Sequence, residues 1–318
     1  MRVVAFSVKN YEKELLAKAN QKKHDITLIS NKLDEKSCCY AKGKDAVLVF
    51  VNDDLSAPII NKLADLGIKY IATRSAGTDH IDLACAQKRG IKVANIPNYS
   101  PEAIAEFGVC LAMALSRKLV QTCAEASTFD FRIENHMGFN FYGKTVGILG
   151  LGKIGLATAR IYHGMGCSIL GYDSEDIELP EYIKQVSLTE ALEKADILSL
   201  HTPLVKETTH LLNAATLAKV KTGVLIVNTS RGGIVNTEAI ITALESGKVG
   251  YFGTDVYEFE KGLFFFNHSE DEKKDPLLRK LMSLKNVLVS PHQAFLTKEA
   301  VQQIEEQTIA HLDAWQHE

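Results

Sequence analysis

The sequence predicts an α/β protein of two domains, each a parallel sheet with helices on both faces. Three observations carry this. The chain has 318 residues, more than one core of ordinary size organises. Short runs rich in Val and Ile alternate with helical patterns along most of its length. A glycine-rich turn, Gly150-Leu-Gly152-Lys-Ile-Gly155, lies in the middle of the chain, so roughly one domain's worth of sequence precedes it.

Strand-like runs at 3–6, 26–29, 46–50, 69–72 and 91–94 build the first sheet. Between them stand helical patterns such as 58–66, stopped by Gly67. Ser100-Pro101-Glu102 starts a long helix: Ser caps, Pro fits the first helical position, and an acid suits the helix N-terminus. That helix is expected to run to about Ala126, with residues 97–100 as the crossing between domains. The second sheet takes strands at 145–149, 168–172, 196–200, 224–227, 249–253 and 287–289. A final helix, 298–315, follows the last strand and is expected to pack on the first domain.

Composition narrows the function classes. With 46% hydrophobic and 24% charged residues the chain is globular, and a net charge of −3 gives no reason to expect nucleic acid. The charge run 269–275 mixes both signs and reads as a solvated loop. No leader or membrane-spanning pattern stands out, so a soluble, cytoplasmic protein is expected. Six cysteines form no Cys-x-x-Cys pair, and no metal site is expected. Cys110, Cys123 and Cys167 lie in apolar patterns that predict buried thiols, whereas Cys38 and Cys39 precede a charged turn that predicts partial exposure.

The central turn has a specific physical reading. A strand precedes it and a helix follows, which is the arrangement a dinucleotide pyrophosphate requires. Gly150 permits the tight turn, Gly152 lets backbone approach the phosphates, and Gly155 allows close helix–strand packing. Lys153 and Ile154 then present the helix N-terminus. Asp173 ends the next strand about 20 residues on, where its carboxylate can accept both ribose hydroxyls. Ser174, Glu175 and Asp176 offer no cation for a 2′-phosphate, so NAD is expected rather than NADP.

Three more strands of this half end in polar segments, at the sheet edge where open α/β sheets bind ligands. They are Asn228-Thr229-Ser230-Arg231-Gly, Asp255-Val-Tyr-Glu258-Phe-Glu260 and Ser290-Pro-His292-Gln-Ala-Phe295. An imidazole titrating near pH 6.5 suits proton transfer, a carboxylate beside it fixes the ring, and a guanidinium fork can hold a carboxylate. Spacing alone leaves Glu258 and Glu260 as rivals for the carboxylate.

These segments resemble the D-isomer-specific 2-hydroxyacid dehydrogenases over nearly the whole chain. Val51-Asn-Asp-Asp54, Arg74-Ser-Ala-Gly77, Tyr99-Ser-Pro-Glu-Ala103 and Leu263-Phe-Phe265 look more narrowly like the bacterial fermentative D-lactate branch. The resemblance implies a Rossmann NAD-binding domain over 100–295, inserted in a flavodoxin-like substrate domain of 1–99 and 296–318. It implies Arg231, Glu260 and His292 as the catalytic set, favouring Glu260 and leaving Glu258 solvated. Substrate contacts would come from Ser75, Ala76, Gly77, Tyr99 and Phe295, the first three as a backbone nest for a carboxylate. Cofactor contacts would add Thr202, Pro203, Thr229, Ser230 and Asp255, with His201 as packing. Phe264–Phe266 is expected to cover a cleft or a partner surface, and a homodimer or homotetramer is expected. The implied reaction reduces pyruvate to D-lactate. Other 2-keto acids, such as glyoxylate, hydroxypyruvate or a branched acid, and a corepressor or NAD-sensing role are the alternatives.

Overall fold

The computed structural model describes residues 1–271 and 274–317. The chain forms two units, Met1–Ser100 with the segment from Phe295 onward, and Pro101–Ala294.

In the first unit the strands β1 (Arg2–Ala5), β2 (Asp25–Leu28), β3 (Ala46–Val49), β4 (Tyr70–Thr73) and β5 (Lys92–Ala94) form one parallel sheet. Its order is β2-β1-β3-β4-β5. Helices α1 (Asn10–Asn20), α2 (Ala57–Asp65) and α3 (Leu83–Lys88) connect the strands. Side chains alternate between the sheet's faces. Val4, Val47, Val49 and Ile71 pack with Ile59, Ile60 and Leu63 of α2 on one side. Val3, Ala5, Leu48 and Ala72 pack with Leu16 of α1 and with Ile309 and Leu312 of the C-terminal helix Lys298–Gln316 on the other. Each such aliphatic side chain contributes about 1.5–3 kcal/mol by leaving water. Trp315 stacks on Tyr70 at 4.9 Å, so the last helix does return to the first unit.

The second unit begins with α4 (Pro101–Ser116) and α5 (Leu119–Ala126). Then come β6 (Thr145–Leu149), α6 (Lys153–Gly164), β7 (Ser168–Tyr172), β8 (Ile183–Gln185), α7 (Leu188–Lys194) and β9 (Ile197–Leu200). The chain continues with α8 (Ala214–Leu217), β10 (Val224–Asn228), α9 (Thr237–Glu245), β11 (Val249–Thr254), α10 (Pro276–Met282) and β12 (Val287–Val289). The seven strands are parallel in the order β12-β11-β10-β9-β6-β7-β8, the doubly wound Rossmann arrangement with one strand added. Strand order reverses between β6 and β9, and the glycine turn leaves β6 at that point. Separate apolar clusters cover the two faces: α4 and α6 on one, α7, α9 and α10 on the other.

Four expectations need correction. The helix from Ser100 does not run unbroken to Ala126. The Ser116 carbonyl is taken by the Phe139 N–H at 3.2 Å, Lys118 adopts φ +50°, and α5 buries none of its residues. Strand β8 was not foreseen because only Ile183 of its three residues is buried, so it carries no apolar run. Cys110 and Cys123 are exposed and Cys38 is buried, while Cys167 is buried as expected. In the charge run 269–275, Glu272 and Lys273 lie outside the described residues, and Asp275 is not simply solvated. It caps α10 by accepting the Leu278 N–H at 2.7 Å and also accepts Tyr257 Oη–H at 2.8 Å.

Among the described residues no helix is long and apolar enough to cross a membrane, and no group of three or more His, Cys, Asp or Glu could hold a metal ion.

Candidate active site

The glycine turn is built as its spacing requires. Gly150 holds φ +96°, and a Cβ there would lie 2.7 Å from the His201 carbonyl carbon and oxygen. A Cβ on Gly155 would come within 1.9 Å of the Gly150 oxygen, so α6 rests directly on the turn. Gly152 differs: a Cβ there would meet nothing within 4 Å. It caps α6, whose first residues Lys153 and Ile154 have no intrahelical acceptor for their N–H groups. That open, donor-rich face fits a pyrophosphate. Asp173 Oδ2 accepts the Leu151 N–H at 2.7 Å, which fixes the carboxylate beside the turn.

The neighbouring strand ends add unmet polar groups. The Thr202 and Thr229 hydroxyls are buried with no hydrogen-bond partner among the described residues. Ser230 Oγ–H donates to the Thr202 carbonyl, tying the two strand ends together, while Pro203 is exposed beside them. His201 Nε2 pairs with Ser199 Oγ at 2.9 Å, and burial pushes its imidazole down to about 4. That burial favours the neutral ring.

Arg231 follows β10 in a loop set by Asn228, which is 1% exposed. Asn228 Nδ2 donates to the Arg231 carbonyl at 2.9 Å, and its Oδ1 accepts the Ser230 N–H at 3.0 Å. Arg231 Nη1 donates to the Ser230 carbonyl at 2.9 Å. Gly232 lies so close to the next loop that a Cβ would fall 2.0 Å from the Tyr257 carbonyl carbon. The Arg231 loop thus packs directly on the segment that carries both glutamates.

That segment separates the rivals. Glu260 Oε1 lies 2.8 Å from His292 Nδ1, and its Oε2 accepts the Tyr257 N–H at 2.9 Å. Glu258 is engaged elsewhere: Oε1 pairs with His210 Nε2 at 2.6 Å and Oε2 accepts the Thr237 N–H at 2.9 Å. The expectation of a solvated Glu258 is corrected, since its side chain is only 12% exposed and anchors the start of α9.

His292 holds φ +54°, a left-handed backbone that Asp255 supports. Asp255 is 1% exposed. Its Oδ1 accepts Ser290 Oγ–H at 2.6 Å and the Gln293 N–H at 2.9 Å, and Oδ2 accepts the Ala294 N–H at 2.7 Å. Its backbone carbonyl accepts the His292 N–H at 2.8 Å. Burial pushes the Asp255 carboxyl up, against the downward pull of these bonds. Asp255 therefore shapes the His292 loop. The Phe265 ring lies 5.8 Å from the His292 ring, Phe264 is buried and Phe266 is 40% exposed.

The expected substrate residues belong to the first unit. Ser75 is buried, Ala76 exposed, and Gly77 and Tyr99 half-buried. Phe295, 9% exposed, packs on Phe50 with ring centroids 5.8 Å apart. The turn's carbonyls are all occupied. Ser75 O accepts the Ile96 N–H at 2.9 Å, Ala76 O accepts Asn95 Nδ2–H at 2.6 Å, and Gly77 O accepts Ser75 Oγ–H at 2.8 Å. The N–H groups of Ala76 and Gly77 have no acceptor among the described residues. That is the polarity of an anion-binding nest.

Asn228, Ser290 and Asp53 were not singled out from the sequence. Asp53 accepts Ser7 Oγ–H at 2.7 Å and the N–H groups of Leu33 at 2.6 Å and Phe50 at 2.7 Å, fixing the loop after β3. For Asn228 and Ser290 the available signal was a polar residue directly at the end of an apolar strand run.

The sequence model described as D-isomer specific 2-hydroxyacid dehydrogenase, NAD binding domain, matches residues 109–294. The chain is 43% identical to 2-hydroxyacid dehydrogenase A of Aspergillus oryzae, over 98% of this chain and 92% of that protein. It is 40% identical to D-lactate dehydrogenase of Escherichia coli, over 98% and 96% respectively. A solved structure described as identifying the pyruvate reductase of Chlamydomonas reinhardtii is similar with a TM-score of 0.92 at 38% identity. That similarity covers 99% of this chain and 96% of the other. The open face at Gly152, the fixed Asp173 and the orphaned threonine hydroxyls are the fittings such a domain needs for NAD. The chain belongs to the D-isomer-specific 2-hydroxyacid dehydrogenases, a family of NAD-dependent oxidoreductases.

Proposed function

We propose that the chain is a D-lactate dehydrogenase that reduces pyruvate with NADH, and that the Glu260–His292 pair beside the Arg231 loop carries the chemistry. The 2.8 Å contact at Nδ1 is the observation that supports this most, because it leaves Nε2 of His292 as the nitrogen that meets substrate. When bound, NADH supplies the hydride that adds to the keto carbon. His292 gives the Nε2 proton to the keto oxygen as that hydride arrives, so the carbonyl becomes a hydroxyl. Glu260 stabilises the imidazolium that must be present beforehand and fixes the ring plane. Arg231 holds the carboxylate and polarises the carbonyl through its planar fork.

The first unit, 1–100 and 295–318, is the substrate domain in this reading, with 101–294 as the cofactor domain. Ser75, Ala76 and Gly77 offer N–H groups to the carboxylate, and Tyr99 and Phe295 close the space around the methyl end. Gly150, Gly152, Lys153, Ile154 and Gly155 take the pyrophosphate and Asp173 the ribose. Thr202, Pro203, Thr229, Ser230 and Asp255 line the rest of the dinucleotide. Exposed free thiols at Cys39, Cys110 and Cys123 suit a reducing compartment such as the cytoplasm. The segment after α5 exposes Phe129 at 85%, Phe131 at 70%, Ile133 at 77% and Met137 at 86%. Such a patch favours a homodimer or homotetramer, which light scattering decides.

The test of substrate is kcat/KM for pyruvate, phenylpyruvate and 2-ketoisocaproate at saturating NADH. Overfilling a packed site costs about 1–3 kcal/mol, so pyruvate should lead by roughly ten- to two-hundred-fold. A preference for the branched or aromatic acid would end the lactate assignment and leave the dehydrogenase family standing.

A further inference from the structure

Behind the Ser75–Gly77 turn lies a buried ionic cluster that the chemistry above does not use. Arg74 immediately precedes the turn and is 1% exposed. Its Nη1 lies 2.6 Å from Glu12 Oε2 of α1, its Nη2 donates to the Phe6 carbonyl, and its Cζ sits 6.0 Å from the Phe50 ring centroid. Its own N–H donates to the Val49 carbonyl at 2.9 Å. Glu305, on the C-terminal helix, is 0% exposed and faces both Arg74 and Glu12. Its two carboxyl oxygens have no hydrogen-bond partner among the described residues.

We propose that Arg74, paired with Glu12 and facing the buried Glu305, is a positioning residue for the substrate carboxylate, and that the proton on Glu305 sets the strength of that site. The proposal rests on the Ser75–Gly77 turn binding the carboxylate, as read above. Arg74 is joined to Ser75 by one peptide bond, so the contacts that fix Arg74 also fix where the turn begins. The charged and titratable groups facing it are Tyr11 and Glu12 of α1, Asp53 of the loop after β3, Arg74, and Glu305. Burial, with Glu12 adding to it, pushes the Glu305 carboxyl up to about 8, against the pull of Arg74. Below that pH, Glu305 adds no charge to the cluster. Above it, an extra buried negative charge stands behind a site built for an anion, and the anion binds less well.

The experiment is KM and kcat for oxidation of the 2-hydroxy acid at saturating NAD, from about pH 6 to about pH 10. Wild-type KM should rise about three- to tenfold through the Glu305 titration and then level off, without a matching change in kcat. Glu305→Gln, which mimics the neutral acid, should abolish the rise, and Glu305→Leu should do the same. Arg74→Lys should raise KM at every pH more than it changes kcat. A Glu305→Gln profile that overlays the wild type, or KM and kcat moving together in Arg74→Lys, overturns the proposal. The profile is read with whichever 2-hydroxy acid is oxidised fastest. Failure of D-lactate as substrate therefore counts against the substrate reading alone.

Discussion

Oε1 of Glu260 meets Nδ1 of His292 at 2.8 Å across 32 residues of sequence, with His292 held at φ +54° by the loop that Asp255 organises. A left-handed backbone at a non-glycine residue is uncommon and costs about 1–3 kcal/mol, so the surrounding bonds must hold it. Four hydrogen bonds from the Ser290–Ala294 segment to Asp255 do so. The pair yields the first prediction. In the proposed reaction His292 donates the proton, and Glu260→Gln removes the charge paired with its ring at Nδ1. The kcat/KM for the keto acid should fall about tenfold or more. Glu258→Gln should leave kcat/KM in place and lower the melting temperature instead, because Glu258 serves His210 and the Thr237 N–H. The reverse pattern would assign the role to the other glutamate.

Arg231→Lys keeps the charge and loses the fork. A charge-assisted hydrogen bond is worth about 1.5–3 kcal/mol, so kcat/KM for the keto acid should fall roughly ten- to hundred-fold. NADH affinity should change little. Steady-state kinetics beside an NADH titration check both, and near wild-type kcat/KM would remove Arg231 from the mechanism.

The glycines of the cofactor turn separate binding from folding. Gly152→Ala places its methyl in open space, so the melting temperature should hold while NADH affinity drops about tenfold or more. Gly155→Ala forces its methyl against the Gly150 carbonyl at 1.9 Å, so it should destabilise the fold by about 1–3 kcal/mol or more. Thermal melts and NADH binding on both variants provide the check. Unchanged NADH affinity in Gly152→Ala would place the pyrophosphate elsewhere.

Glu305 gives a stability prediction with a definite sign. Its folded-state carboxyl is pushed above the ordinary 4.5 to about 8. Stability linked to it is fully present below the ordinary value and is lost as pH rises through the raised one. Glu305→Gln should therefore melt progressively higher than the wild type as pH increases from about 5 to about 9. Parallel melting curves at every pH would contradict a neutral Glu305.

The fold was legible where apolar periodicity is strong. Strands at Thr145–Leu149 and Ser168–Tyr172 follow from their Val and Ile runs and bounding glycines. Strand β8 was not, because a short edge strand buries one residue and is specified by pairing with β7. Nor was the break after Ser116, which depends on a carbonyl claimed by Phe139, 23 positions on in the sequence. At the site, residue types and spacing pointed to Arg231, His292 and a glutamate, but which glutamate depends on where the chain turns after Asp255. Asn228 and Asp255 support these residues through bonds between strand ends, and a linear sequence does not show which ends are neighbours. Arg74 was visible only as part of a motif; its partners Glu12 and Glu305 come from opposite ends of the chain.

The most direct test of the central claim is a stereospecific product assay. Protein, NADH and pyruvate are combined, NADH loss is followed, and the lactate formed is resolved into its enantiomers, with His292→Ala run in parallel. The account predicts D-lactate in step with NADH consumed, and loss of most activity at every pH in His292→Ala. L-lactate, no turnover, or an undiminished His292→Ala variant would contradict it.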